Sequence, residues 1–291
     1  MIGSGAKDAR RFTDEPGDRM QRPSMAGGER VVVLEYAARR RSGDERTACR
    51  TAAPDVRSIG ARVDEHDWPE LSQHLDAHGY AILPKLLSES ETAALVASYD
   101  EPRTFRSRIV MAQHGFGRGE YKYFAYPLPG IVAGLRSSLY RRLVPVANRW
   151  NGLMGIDLRF PETHDEFRRV CHEAGQLRPT PLLLQYTEGD FNALHQDVYG
   201  DHVFPLQAAI LLSAPGADFT GGEFVLVEQR PRMQSRAEVV PLGRGDCVVW
   251  AVRHRHVRGT RGTYRVSMRH GVSRVRSGRR HTLGVIFHDA T

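Results

Sequence analysis

His195 and Asp197 stand two residues apart in the run His195-Gln196-Asp197. On a strand, alternate side chains leave the same face, so this imidazole and carboxylate project together. One neutral imidazole and one carboxylate at that spacing offer two adjacent ligands to a divalent metal. A second imidazole would complete a face of two His and one carboxylate, the donor set that holds Fe(II) and leaves three positions open. Thirteen His are available, and His254, His256, His270, His281 and His288 fall in C-terminal strand-like segments. His270 is the first choice. It ends the strand-like run TYRVSMRH, far enough downstream for the chain to have returned across a sandwich. Arg280 and Thr282 follow it, and on a strand their guanidinium and hydroxyl share a face and can converge on one carboxylate. A turn at Ser277-Gly278 would let one strand end at the metal and the next return with Arg280 on the same pocket. His256 is the alternative third ligand, within Arg253-His254-Arg255-His256, where a cation is disfavoured unless the Arg side chains point away.

Such a site needs a stiff β scaffold, and the chain from Pro181 onward reads as one. Short runs rich in β-branched and aromatic residues, such as PLLLQYTEGD, VFPLQAAILLSA, DCVVWAV and HTLGVIFH, are punctuated by Gly, Pro, Asp and Asn. That pattern predicts an antiparallel sandwich or barrel. Upstream the texture is helical, with order expected from near Asp64. Trp68, Leu71 and Leu75 give a helical spacing closed by Gly79, Tyr80–Leu83 reads as a strand, and Ser88 with Glu91 makes a capping box for a second helix. SRIVMAQ reads as a strand, and Leu135, Leu139, Leu143 and Val146 mark one side of a long helix. Residues 1–60 lack a sustained apolar period and read as a disordered tail. The fold class is therefore α+β: one domain over 61–291, helical across 61–180, with a jelly-roll-like β core over 181–291.

These residues carry a resemblance. LLLQYTEGDFNALHQD, FTGGEF, VVPLGRGDCVVW and HGVSRVRSGRRHTLGVIF follow one another in the order seen in the 2-oxoglutarate/Fe(II)-dependent dioxygenases. The chain resembles their prolyl-4-hydroxylase-like branch, and HGYAILPKLLSESETAAL looks like the N-terminal entry of such folds. The resemblance implies a double-stranded β-helix (jelly-roll, cupin-like) core with N-terminal helices packed on it. It implies Fe(II) held by His195, Asp197 and His270, with 2-oxoglutarate held by Arg280, Thr282 and Tyr186. It implies a hydroxylase that uses O2 on a small-molecule or peptide substrate and releases succinate and CO2, with ascorbate as a reductant. The run before His195 also resembles that of AlkB-type nucleic-acid demethylases. Two residues depart from their pattern: Leu184 stands where those carry Asn, and Ile286 where they carry a second Arg. Oxidative demethylation of nucleic acid is thus the second expectation. A non-catalytic metal-binding protein of the same fold is the third, and an Arg-Thr clamp for a 2-oxo acid speaks against it.

Composition bounds these readings. The chain has 291 residues, 41% apolar and 26% charged, which suits a globular protein with a sizeable core. No run approaches the roughly 18 apolar residues of a membrane span, no secretory signal is readable, and three scattered Cys suggest a reducing compartment, so the cytoplasm is expected. The net charge of +7 is concentrated: residues 253–281 hold ten Arg and no acid. That segment could steer an anionic partner or could be a solvated strand face paired with acids elsewhere. Arg106, Arg108, His114, Tyr121, Lys122, Tyr123 and Phe124 form a cluster that reads either as substrate contacts or as an exposed strand packed on the helices. The long hairpin VEQRPRMQSRAE is expected over the mouth of the site. Cys247 reads as a buried core residue, His202 as a hairpin residue and Glu223 as a structural acid of its hairpin.

Overall fold

The structure, a computed structural model, describes residues 58–198, 200–260 and 262–291. The tail expected over 1–60 lies outside the described residues except at its end, and there the chain is helical. The Ser58 side chain accepts the Ala61 N–H and caps α1 (Ile59–Glu65). Order thus begins ahead of Asp64. Fully buried Val63 and the Arg62 guanidinium, which donates to the Glu91 carboxylate at 2.7 and 2.6 Å, tie this short helix down.

Next come α2 (Trp68–His78), stopped by Gly79 in the left-handed conformation, then β1 (Tyr80–Leu83). The expected capping box of Ser88 and Glu91 opens α3 (Glu89–Ala97). The strand expected at SRIVMAQ forms as β2 (Phe105–Val110), and β3 (Gly117–Arg118) and β4 (Glu120–Phe124) form within the stretch expected to be helical. They are strands because the growing sheets offer them edges: β4 pairs with β5 (Leu182–Thr187) and β3 with β6 (Phe191–His195). The long helix is α4 (Gly130–Leu153), with Leu135, Leu139, Leu143 and Val146 buried as their spacing predicts. α5 (His164–Glu173) follows, opened by a capping box of Thr163 and Glu166. The remaining strands are β7 (Leu206–Leu211), β8 (Phe219–Gly221), β9 (Phe224–Gln229), β10 (Arg236–Val240), β11 (Cys247–Ala251), β12 (His254–Gly259), β13 (Gly262–Val272) and β14 (Val275–Val285).

Two antiparallel sheets face each other. The larger runs β1-β11-β7-β14-β5-β4-β2 with β8 attached to β14, and the smaller runs β10-β9-β13-β6-β3 with β12 attached to β13. This is the double-stranded β-helix, and the class is α+β as expected. Period-two alternation splits the large sheet. Leu206 and Ile210 of β7 join Leu135, Leu139 and Leu143 of α4 in one apolar core, while Gln207 lines a cavity between the sheets. Each such fully buried Leu contributes about 1.5–3 kcal/mol. Among the described residues no helix is long and apolar enough to cross a membrane.

The expected turn at Ser277-Gly278 is not there. β13 and β14 are joined at Ser273 and Arg274, and Gly278 lies inside β14 with φ of +77°, just past the register shift against β8 between Val275 and Ser277. A lone Gly within a strand marks a bulge as readily as a turn. A β-carbon here would collide with the Asp218 carbonyl oxygen. Gly278→Ala is therefore expected to lower stability by at least about 1–2 kcal/mol, the cost of the left-handed conformation before any clash. Denaturant unfolding measures this, and an unchanged midpoint would contradict the bulge.

Candidate active site

His195 ends β6 and pairs directly with His270 of β13, so their rings stand 4.2 Å apart, centroid to centroid. Gln196 points the other way and pins the segment to β13, donating to the Met268 carbonyl at 2.7 Å and to Ser267 Oγ at 3.1 Å. Asp197 then comes back to the His195 side. Its two oxygens lie 3.4 Å from His195 Nε2 and 3.4 Å from His270 Nε2. One donor atom from each of the three residues falls within 4.8 Å of the others.

The protonation pattern follows from the partners. His195 Nδ1 lies 2.7 Å from the Ala193 carbonyl oxygen. A carbonyl only accepts, so Nδ1 carries a proton; Nε2 then donates to Asp197 in the imidazolium and is the free, ligating lone pair in the neutral ring. Burial pushes the Asp197 carboxyl up, but hydrogen bonds from both imidazoles outweigh it and hold the group well below the usual carboxylate range. Burial also lowers His195, yet Asp197 more than compensates and the ring sits above its ordinary value. For His270 burial wins and the ring sits below it. The His270 ring is walled by Trp250 at 4.9 Å and Phe224 at 6.1 Å, which keeps water from that flank.

The opposite wall is the inner face of the large sheet. Arg280 of β14 pairs with Tyr186 of β5, and Thr282 lies one inward position further along β14. Arg280 is 2% exposed, and its one side-chain hydrogen bond among the described residues goes from Nη1 to Thr282 Oγ1 at 2.6 Å. Burial pushes its guanidinium down to about 10, with Tyr186 and Glu223 opposing. The Tyr186 and Phe219 rings lie 5.6 and 5.9 Å from it. All of these groups except Phe219 and Glu223 line one cavity of about 250 Å³, together with His195, Asp197 and His270. Five buried side-chain atoms on its wall have no hydrogen-bond partner among the described residues: Tyr186 Oη, Gln207 Nε2, Trp250 Nε1, His270 Nδ1 and Arg280 Nε. Buried polar atoms are ordinarily paired, so a wall rich in free donors is built for a ligand with acceptor oxygens.

Residues 119–290 match the family model Oxygenase-NA, described as an oxygenase catalysing oxidative methylation of damaged DNA. The chain belongs to this oxygenase family. The oxygenase is also 48% identical over 167 residues to an uncharacterized protein of Mycobacterium tuberculosis strain H37Rv, covering 57% of this chain and 72% of that protein. Similar solved structures include a prolyl-4-hydroxylase of Pseudomonas putida, at 13% identity and TM-score 0.43 over 75% of this chain and 96% of that one. Another is an oxidoreductase of the 2OG-Fe(II) oxygenase family from Burkholderia pseudomallei, at 15% identity and TM-score 0.46 over 78% of this chain and 94% of that one. The expectation of an oxygenase drawn from the four sequence motifs is borne out by the family match.

The other candidates of the oxygenase sit elsewhere. His256 lies on β12 with its Nε2 4.0 Å from Asp76 and its ring against Trp150, away from Asp197. Its neighbour Arg255 is buried on the Glu228 carboxylate. The backbone N–H and carbonyl of His202 are both held by the Gln176 side-chain amide, which suits a hairpin residue. Glu223 accepts from Ser273, and Cys247 is a buried strand residue whose thiol is pushed up by burial. From the aromatic-basic cluster, Tyr121 and Tyr123 line the cavity with Phe116, while Arg106 donates to the Pro179 carbonyl, Arg108 to Glu120 and Lys122 to the Tyr99 carbonyl. None of residues 227–238 lines the cavity, so the long β9–β10 hairpin does not cover its mouth. Sequence reasoning missed Gln207 and Trp250. A single Gln in the otherwise apolar run LQAAIL was the available signal.

Proposed function

We propose that this oxygenase is an Fe(II)- and 2-oxoglutarate-dependent dioxygenase that hydroxylates a substrate C–H bond. His195, Asp197 and His270 hold the iron: two imidazoles and a carboxylate are the donor set it takes, and the Ala193 carbonyl fixes one of the rings in the ligating tautomer. Arg280, with Thr282 and Tyr186, holds the far carboxylate of 2-oxoglutarate. The observation that carries the reading is Arg280 itself. A buried guanidinium without a carboxylate among the described residues is costly, and a protein keeps one where a ligand supplies the counter-charge. A protein that only stored metal would have no use for it.

When bound, Fe(II) supplies the O2-dependent oxidation of the substrate, coupled to conversion of 2-oxoglutarate to succinate and CO2. The chain's own residues do the positioning. Arg280 and Thr282 fix the cosubstrate's far end, and Trp250 and Phe224 shield His270 from water. Tyr121, Tyr123, Leu182 and Leu184 give the outer cavity an apolar, aromatic lining for the substrate. Both described Cys, Cys171 and Cys247, are free and buried, in keeping with a reducing cytoplasmic setting.

Nucleic acid is the second substrate reading, favoured by the family description and by exposed Arg253, Arg258, Arg265, Arg269, Arg274, Arg276 and Arg279 on and between β12, β13 and β14. Leu184 and Ile286 line the cavity as apolar residues and favour a small-molecule or peptide substrate instead. The first step is shared, since hydroxylation of an N-methyl carbon gives a carbinolamine that releases formaldehyde. The experiment is succinate formation by the purified chain with Fe(II), 2-oxoglutarate, O2 and ascorbate, across peptides, amino acids and methylated oligonucleotides. Succinate above the substrate-free rate is expected with one of these classes, and formaldehyde alongside it marks demethylation. No succinate under any condition, together with no binding of 2-oxoglutarate, would sink the reading.

A further inference from the structure

Two of the unpartnered donors are not accounted for by the clamp around Arg280. Gln207 on β7 and Trp250 on β11 are direct cross-strand partners, so their side chains leave the same face of the large sheet. Both are buried, at 2% and 3% exposure, and both line the cavity. Gln207 Nε2 and Trp250 Nε1 have no hydrogen-bond partner among the described residues. An indole N–H can only donate, so whatever satisfies Trp250 must present an acceptor. Ala208 pairs with Val285, which puts Gln207 level with Ile286, past Thr282 and Gly284 from Arg280. The Trp250 ring stands 4.9 Å from that of His270. The cavity therefore has a guanidinium with hydroxyls at one end. At the other, beside the His195–Asp197–His270 set, it has a pair of neutral donors.

We propose that Gln207 and Trp250 grip the 2-oxo acid end of the cosubstrate, donating to its carboxylate oxygens while Arg280 takes the far carboxylate. This rests on the 2-oxoglutarate reading. Neutral donors suit that end: a further cation next to a divalent ion would repel it, whereas amide and indole N–H groups orient a carboxylate without adding charge. Depth favours the cosubstrate over the substrate as their ligand. Phe116, Tyr121 and Tyr123 are at least partly exposed and form the outer cavity, while Gln207 and Trp250 are enclosed. The two ends then read a dicarboxylate by different chemistry, charge at one and directed neutral hydrogen bonds at the other.

The test is calorimetric binding to the full chain with Mn(II) in place of Fe(II), using 2-oxoglutarate and oxalate as probes. Oxalate carries the chelating end without a distant carboxylate. Gln207→Leu and Trp250→Phe are each expected to weaken both probes by about 10- to 100-fold, the loss of a hydrogen bond to a charged acceptor. Mn(II) affinity should stay unchanged, and Arg280→Lys should weaken 2-oxoglutarate but spare oxalate. Trp250→Phe keeps a ring against His270, so it separates the lost N–H from lost packing if Gln207→Leu folds poorly. Unaltered binding of both probes in the two variants overturns the inference while leaving the dioxygenase reading intact. So does weakened 2-oxoglutarate with unaltered oxalate, which would put the pair at the other end. If the unaltered chain with Mn(II) binds no 2-oxoglutarate, the dioxygenase reading itself falls and takes the inference with it.

Discussion

Asp197→Ala is expected to abolish divalent-metal binding and turnover while the chain still unfolds cooperatively. The Asp197 carboxylate lies between two imidazoles and has an oxygen 3.4 Å from the Nε2 of each. Removing it takes away the single anionic donor of the set and the group that turns both rings inward. Loss of an outer partner of a metal ligand already costs about 10- to 100-fold in affinity, so loss of a direct donor is expected to exceed about 100-fold. The fold should survive because the set lies on the cavity wall, outside the apolar core that α4 makes with β7 and β11. Titration with Mn(II), alongside a thermal melt, separates the two effects. His256→Ala is the control. Its ring packs on Trp150 and its Nε2 faces Asp76, so it should lose some stability and no metal affinity. Full metal occupancy in Asp197→Ala, or metal loss in His256→Ala, would overturn the ligand assignment.

The spacing of residue types anticipates which side chains meet, because period-two alternation is local. His195 with Asp197, and Arg280 with Thr282, need only that their segments be strands. That His270 faces His195 needs the chain to return in register, which the strand-like texture of the C-terminal half makes legible. What stays hidden depends on partners far away in sequence. β3 and β4 exist because β6 and β5 offer them edges, and no property of residues 117–124 announces that. α5 is short and polar, and only its Thr163–Glu166 capping box marks its start. Gly278 reads as a turn because a Gly before two Arg looks solvent-exposed. Its backbone is instead held by Asp218, whose carbonyl accepts the Arg279 N–H at 2.9 Å. Gln207 and Trp250 look like ordinary members of apolar strands until their pairing puts two unsatisfied donors on one wall.

Arg280→Lys should weaken 2-oxoglutarate by about 30- to 1,000-fold, the equivalent of about 2–4 kcal/mol for two paired charge-assisted bonds, and leave metal binding nearly unchanged. Lys keeps the formal charge, so a site that needed only a cation would tolerate it. This one needs a fork. Arg280 Nη1 is committed to Thr282 Oγ1, while Nε has no partner among the described residues. The planar guanidinium can thus hold the hydroxyl and still present N–H groups to a carboxylate, which a point ammonium on a flexible stem cannot do. Burial compounds the loss. The enclosure that brings the Arg280 guanidinium down to about 10 leaves it charged near neutral pH, because it starts from 12.5. A Lys starts roughly two units lower, and the same desolvation pushes a larger share of it toward the neutral amine, which cannot balance a carboxylate. The penalty should therefore deepen as the pH is raised from neutrality into the mildly alkaline range, where such a Lys loses its ammonium before the parent Arg280 loses its charge. Binding of 2-oxoglutarate with Mn(II), measured between neutral and mildly alkaline pH, reads both effects. An Arg280→Lys variant that binds as tightly as the parent would show that the far carboxylate is held elsewhere. Weak binding that does not worsen in alkali would mean that geometry alone, and not charge, carries the clamp.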